Sequence, residues 1–174
     1  MVNYLLVDGY NVIHEVEELK NASILSLDMA RVMLGDTLCE YSALSGYRII
    51  LVFDAHLVAD GVGSIQDYRG IKIVFTKEAQ TADRYIERAA YKLSKQSKKE
   101  RVSVATSDGV EQLIILASGA FRITPAELWK EIKRVKENMR QNYNRTRPIK
   151  RNPIESLIDS ETAKKLEAMR YGKK

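Results

Sequence analysis

The sequence predicts an α/β domain built on a mainly parallel sheet with helices on both faces, followed by a basic helical tail. Three observations carry this. Short, almost continuous apolar runs alternate with longer stretches of helical periodicity, the pattern of strands buried on both faces. Three of those runs end on an aspartate: Leu6-Val7-Asp8, Val52-Phe53-Asp54 and Ala105-Thr106-Ser107-Asp108. The surplus of positive charge is confined to one late segment. Between Pro125 and Arg151 nine basic residues face three acidic ones, while the rest of the chain carries 19 basic and 20 acidic.

Taken in order, Tyr4–Val7 reads as a first strand closed by Asp8-Gly9. Leu27–Leu44 has apolar residues at helical spacing and stops at Ser45-Gly46, a helix terminus. Arg48–Phe53 is a buried strand, and Ala55–Gly70, with its Asp60-Gly61-Val62-Gly63, an exposed, mobile loop. Gly70–Phe75 is a third strand. Thr81 caps a helix from Ala82 to about Gln96, with Ile86, Ala89, Ala90 and Leu93 as its inward stripe. Arg101–Ala105 and Ala120–Ile123 are the last strands, with a short helix over Val110–Ala117 between them. Thr124-Pro125-Ala126-Glu127 starts a helix running to about Asn142: a capping threonine, a proline in the first turn, a glutamate three residues on. Asn144–Pro153 is a linker and Ser156–Tyr171 a final helix, so the domain spans residues 1–143 and the tail 144–174.

With 45% hydrophobic and 29% charged residues, disordered and collagen-like classes are excluded. The start of the chain lacks a basic leader and no apolar run approaches ~18 residues, so neither a secretory leader nor a membrane span is expected. The lone Cys39 sits in a helical pattern and reads as a buried, inert thiol in a cytoplasmic protein.

Ligands of parallel α/β sheets bind beyond the carboxyl ends of the strands. Asp8, Asp54 and Asp108 end there, and Asp83 falls in the first turn of the helix after the third strand, so all four approach one rim. Gathered carboxylates repel, which shifts their pKa values or calls for a cation. Oxygen donors without a His/Cys cluster suit Mg²⁺ or Mn²⁺, which supports phosphodiester cleavage. Singly, each aspartate is also a turn former or helix cap. Glu87, one turn after Asp83, is either a further ligand or a partner of Arg84 or Tyr91. Asn11 orients a phosphate or water, or caps the turn. Thr106 and Ser107 bond the metal shell, or only form the turn before Asp108. His14 and His56 read as surface or turn histidines rather than general acids. A dehalogenase-type phosphohydrolase would need an acid where Tyr10 stands, and no glycine-rich loop for a nucleotide cofactor follows the first strand.

The run Leu5-Leu6-Val7-Asp8-Gly9-Tyr10-Asn11-Val12-Ile13 resembles the opening signature of NYN domains, a branch of the PIN-like nucleases. Val52-Phe53-Asp54-Ala55-His56, Phe75-Thr76-Lys77-Glu78 with Thr81-Ala82-Asp83, and Val104-Ala105-Thr106-Ser107-Asp108 resemble later blocks of its YacP-like group. The likeness covers about Val2 to Arg140. It implies a PIN-like three-layer α/β/α fold and a metal-dependent endoribonuclease acting on messenger RNA in association with the translating ribosome. Asp8 matches the family's first-strand aspartate and Asp83 its helix-start aspartate; Asp54 and Asp108 match acidic positions. The implied metal ligands are Asp8, Asp83 and Asp108. The rival from another class is a catalytically silent RNA- or ribosome-binding protein with the same fold.

For RNA the expected contacts are Lys133, Lys136 and Arg140 on one face of the helix after Thr124, continued by Arg145, Arg147, Lys150 and Arg151 with Tyr143 interleaved. Leu128, Ile132, Val135 and Met139 form the opposing apolar stripe. The helix alone reads equally as a solvated amphipathic face.

Overall fold

In the computed structural model, residues 2–54, 62–77, 80–96, 101–107, 119–146, 161–162 and 164–165 are described. Six strands form one sheet: β1 (Asn3–Asp8), β2 (Arg48–Phe53), β3 (Val62–Tyr68), β4 (Ile71–Lys77), β5 (Arg101–Ala105) and β6 (Phe121–Ile123). Their order across the sheet is β3-β4-β2-β1-β5-β6, and every pairing is parallel except β3 with β4. The helices are α1 (Gly9–Glu15), α2 (Glu17–Leu25), α3 (Leu27–Ser45), α4 (Ala82–Gln96) and α5 (Pro125–Thr146).

Strand alternation sorts the core into two layers. Leu5, Val7, Ile49, Leu51 and Phe53 pack with Val12 and Ile13 of α1, Leu19 of α2, Leu34 and Leu38 of α3, and Leu128 and Ile132 of α5. Leu6, Val52, Val74, Val102 and Val104 face the other way, onto Ala82, Ile86 and Ala90 of α4. A sheet covered on both sides explains why its central strands read as unbroken apolar runs. The three-layer α/β/α expectation is what the chain forms.

Local chemistry sets the helix ends as expected in three places. Gly46, at φ 75°, closes α3 in the left-handed conformation that only glycine adopts without strain, and its N–H donates to Ser42 O at 2.9 Å. Thr81 Oγ1 accepts from Arg84 N at the start of α4. Thr124 and Glu127 form a reciprocal box: Glu127 N donates to Thr124 Oγ1 at 3.2 Å, and Thr124 N donates to Glu127 Oε2 at 2.9 Å.

Three expectations change. Val62–Tyr68, read as loop, is an edge strand joined to β4 by the turn Arg69-Gly70, both at positive φ. Its solvent-facing residues Ser64, Ile65, Gln66 and Asp67 lack the apolar alternation that reveals a half-buried strand. Between Asp8 and Leu27 lie two helices, α1 and α2, each shorter than the roughly 11-residue window in which helical periodicity becomes readable. Finally, α5 continues through Asn144–Thr146 into the expected linker, since no proline interrupts it before Pro148. The predicted helices at Val110–Ala117 and, for the most part, Ser156–Tyr171 lie outside the described residues. The chain divides into two units, Met1–Asn138 and Met139–Lys174.

Candidate active site at the carboxyl rim

Parallel pairing puts the carboxyl ends of β1, β2, β4 and β5 at one edge. Asp8 pairs with Val52, two residues before Asp54, and Val7 pairs with Ala105, so Thr106 and Ser107 follow level with Asp8. Asp8 does two jobs in one turn. As the last residue of β1 it is also the N-cap of α1, accepting from Asn11 N on Oδ1 at 3.1 Å and from Asn11 Nδ2 on Oδ2 at 2.7 Å. Ser107 Oγ then donates to Asn11 Oδ1 at 2.5 Å, tying the end of β5 to the same amide.

Asp8 is only 4% exposed. Burial pushes its carboxyl above the usual aspartate range and the Asp83 carboxylate pushes the same way, while the Asn11 hydrogen bonds oppose both. The Asp83 carboxylate is thus near enough for Asp8 to feel its charge. Asp54 reaches the start of α4, where its Oδ2 accepts from Ala82 N at 3.4 Å, one residue before Asp83. Glu87, a turn further along α4, is exposed and makes no ion pair among the described residues.

Asp108 and His56 lie outside the described residues. Among the described residues no three His, Cys, Asp or Glu side chains form a metal-holding group. The donors that are described nevertheless fit a hard divalent cation: a desolvated carboxylate with a second carboxylate beside it, where a positive ion would relieve both burial and repulsion.

Two contributors were not foreseen. Arg122 on β6 donates from Nε to Thr106 O at 3.3 Å and from Nη2 to Ser107 O at 3.4 Å, holding the end of β5. Arg31 on α3 donates to the Tyr10 hydroxyl in the first turn of α1. Neither could be read from sequence spacing, because each acts across the fold. His14, at the end of α1, is exposed, as expected. Cys39 is buried, its Sγ donating to Tyr68 O at 3.4 Å, and burial raises its thiol above the ordinary range.

Lys133 Nζ pairs with Glu18 at 2.5 Å and Lys136 Nζ with Glu40 at 2.6 Å, so both cations bind acids of the same domain. Trp129 Nε1 shares Glu18 at 2.8 Å. Leu128 and Ile132 are buried and Val135 packs against the core, but Met139 of the apolar stripe is exposed. Arg140 is exposed; the Arg145 side chain and Arg147, Lys150 and Arg151 lie outside the described residues. An open groove of about 450 Å³ lies between Glu15–Glu18 and Trp129–Lys133 and is lined by none of the rim aspartates.

A mainly parallel α/β domain with carboxylates converging where its central strands end is the class that this fold and rim define. The family model for the YacP-like NYN domain matches residues 5–171, and the chain belongs to that family. It is 37% identical over 144 residues to the uncharacterized protein YacP of Bacillus subtilis (strain 168), covering 83% of each chain. It also superimposes on the crystal structure of Rae1 (YacP) from Bacillus subtilis with a TM-score of 0.71 at 36% identity, covering 97% of this chain and 95% of that one. A tryptophan-to-leucine variant of the same protein gives 0.73 at 32% identity, covering 97% and 99%. Among the described residues no helix is long and apolar enough to cross a membrane.

Proposed function

We propose that the chain is a metal-dependent endoribonuclease that cleaves RNA phosphodiester bonds at this rim, acting on messenger RNA at the ribosome. The observation that carries the reading is Asp8: a carboxylate buried at the end of β1 that feels the charge of the Asp83 carboxylate besides capping α1. Asp8 and Asp83, with Asp108, would hold Mg²⁺ or Mn²⁺. When bound, such an ion activates water and neutralises charge on the reacting phosphate.

The protein's own part is placement. Asn11 fixes both Asp8 oxygens, and Ser107 fixes Asn11. Asp54 anchors the first turn of α4, which carries Asp83. Arg122 and the buried Thr106 set the end of β5. Cations of the segment from Lys133 to Arg151 supply phosphate affinity that is independent of sequence. The cytoplasm is where such an enzyme meets its substrate.

The test is end-labelled single-stranded RNA incubated with the purified chain in Mg²⁺ or Mn²⁺, with EDTA as control. Internal cuts that need the ion support the reading. RNA retained but never cut, with either ion and with ribosomes added, overturns it in favour of a silent binding protein.

A further inference from the structure

With seven residues, α1 is too short to hold its own conformation, so its first turn must be fixed by tertiary contacts. That turn carries the backbone N–H and side chain that bind Asp8. Three contacts fix it. Gly9 lies under the Phe53 ring, where an added Cβ would come within 2.2 Å of the ring edge. The Tyr10 ring tilts against Phe53 at 5.2 Å between centroids, and Phe53 stacks on Phe75 at 5.6 Å. Arg31, reaching in from α3, lies 5.5 Å from the Tyr10 ring centroid and 5.9 Å from that of Phe53. Its Nε donates to the Tyr10 hydroxyl at 3.1 Å, Nη2 donates to the same oxygen, and Nη1 bonds Asp28. The Arg31 side chain is 14% exposed. A mostly buried arginine side chain is costly unless its guanidinium is bonded and stacked, and this one is both.

We propose that Arg31 is a positioning residue, which through Tyr10 clamps the turn Asp8-Gly9-Tyr10-Asn11 and so sets the direction of the Asp8 carboxylate. This rests on the nuclease reading and adds to it a residue from a helix that supplies none of the rim acids. Arg31 acts through the Tyr10 hydroxyl rather than on RNA. Its effect therefore falls on turnover, and the hydroxyl and the guanidinium work as one unit.

The experiment compares Arg31→Ala, Arg31→Lys, Tyr10→Phe and the double variant Arg31→Ala/Tyr10→Phe. Tyr10→Phe keeps the ring packing and removes only the acceptor, so it carries the test should Arg31→Ala fail to fold. The expected result is a fall in kcat of about tenfold with KM within twofold for Arg31→Ala and Tyr10→Phe, and no further loss in the double variant. Arg31→Lys recovers part of it. Independently of activity, hydrogen exchange of the Asn11 amide, which donates to Asp8, speeds up in Arg31→Ala and in Tyr10→Phe while that of Leu6 does not. Raised KM at unchanged kcat would overturn the proposal, placing Arg31 on the RNA, and so would additive losses or an unaltered Asn11 exchange rate. Failure of the nuclease reading looks different: the wild-type chain then cuts nothing, while the exchange comparison still reports on the clamp.

Discussion

The rim and the basic face of α5 both looked functional as sequence, yet the fold treats them in opposite ways. At the rim, topology forces like charges together: Asp8 and Asp83 come from elements distant in the chain and have each other as neighbours. On α5, Lys133 and Lys136 each have an acid of the same domain as ion-pair partner, Glu18 and Glu40. Like charges brought together in this way at the rim would be relieved by an external cation. An exposed cation that is already paired can still bind phosphate, but it must first leave its carboxylate.

That contrast breaks most visibly at the aspartates. Asp8→Asn and Asp83→Asn should each lower cleavage about a thousandfold or more, with the double variant little worse, since both remove one shared site. Near-native folding is expected in both, checked by circular dichroism. An amide at position 8 still accepts from Asn11 N, and Asn11 can flip its own amide because the Ser107 hydroxyl accepts as readily as it donates. A loss of less than about tenfold in either variant alone would divide the rim into separate functions.

Next in size is Gly9→Ala. The new methyl group meets the Phe53 ring, and displacing that ring disturbs Tyr10 and Phe75 with it. A loss of about 2 kcal/mol is expected, read from urea unfolding, with cleavage falling in parallel.

Most of the fold was legible because burial on both faces writes itself into sequence as apolar runs. Arg48–Phe53, Ala82–Gln96 and Arg101–Ala105 are strands and helix as the pattern predicts. The edge strand Val62–Tyr68 was not legible, because exposure removes the alternation that marks a strand. The strand-end position of Asp8 and the helix-start position of Asp83 were legible, since both follow from apolar runs and a capping threonine. Arg31 and Arg122 were not, because their roles depend on tertiary neighbours with no spacing rule behind them.

The balanced face gives smaller effects. If Lys133 and Lys136 are to bind phosphate they must first leave their carboxylates. Glu18→Gln with Glu40→Gln should therefore tighten RNA binding a few-fold at low salt and steepen its salt dependence. Arg145, Arg147, Lys150 and Arg151 changed to alanine should weaken binding about tenfold while leaving cleavage at saturating RNA intact. Filter binding across a salt series reads both. Lost exposed pairs should alter stability by less than about 1 kcal/mol.

The smallest expected effect is on stability against pH. Asp8 has a folded pKa above its ordinary 3.8, so the folded chain holds this proton more tightly than the unfolded chain. Its contribution is fully present below pH 3.8 and is lost as pH rises through the folded value. Without divalent ions, Asp8→Asn should therefore be more stable than the wild type at neutral pH, by up to about 1 kcal/mol, with the advantage shrinking in acid. Thermal unfolding between pH 3.5 and 7.5 in EDTA follows it; an advantage that grows in acid would reverse the sign assigned to burial.

The central claim is that Asp8 and Asp83 share one divalent ion, and calorimetric titration with Mn²⁺ tests it directly. The wild-type chain should bind Mn²⁺ at the rim, and Asp8→Asn and Asp83→Asn should each lose that binding while remaining folded. Mn²⁺ bound with unchanged stoichiometry and affinity by both variants would contradict the account.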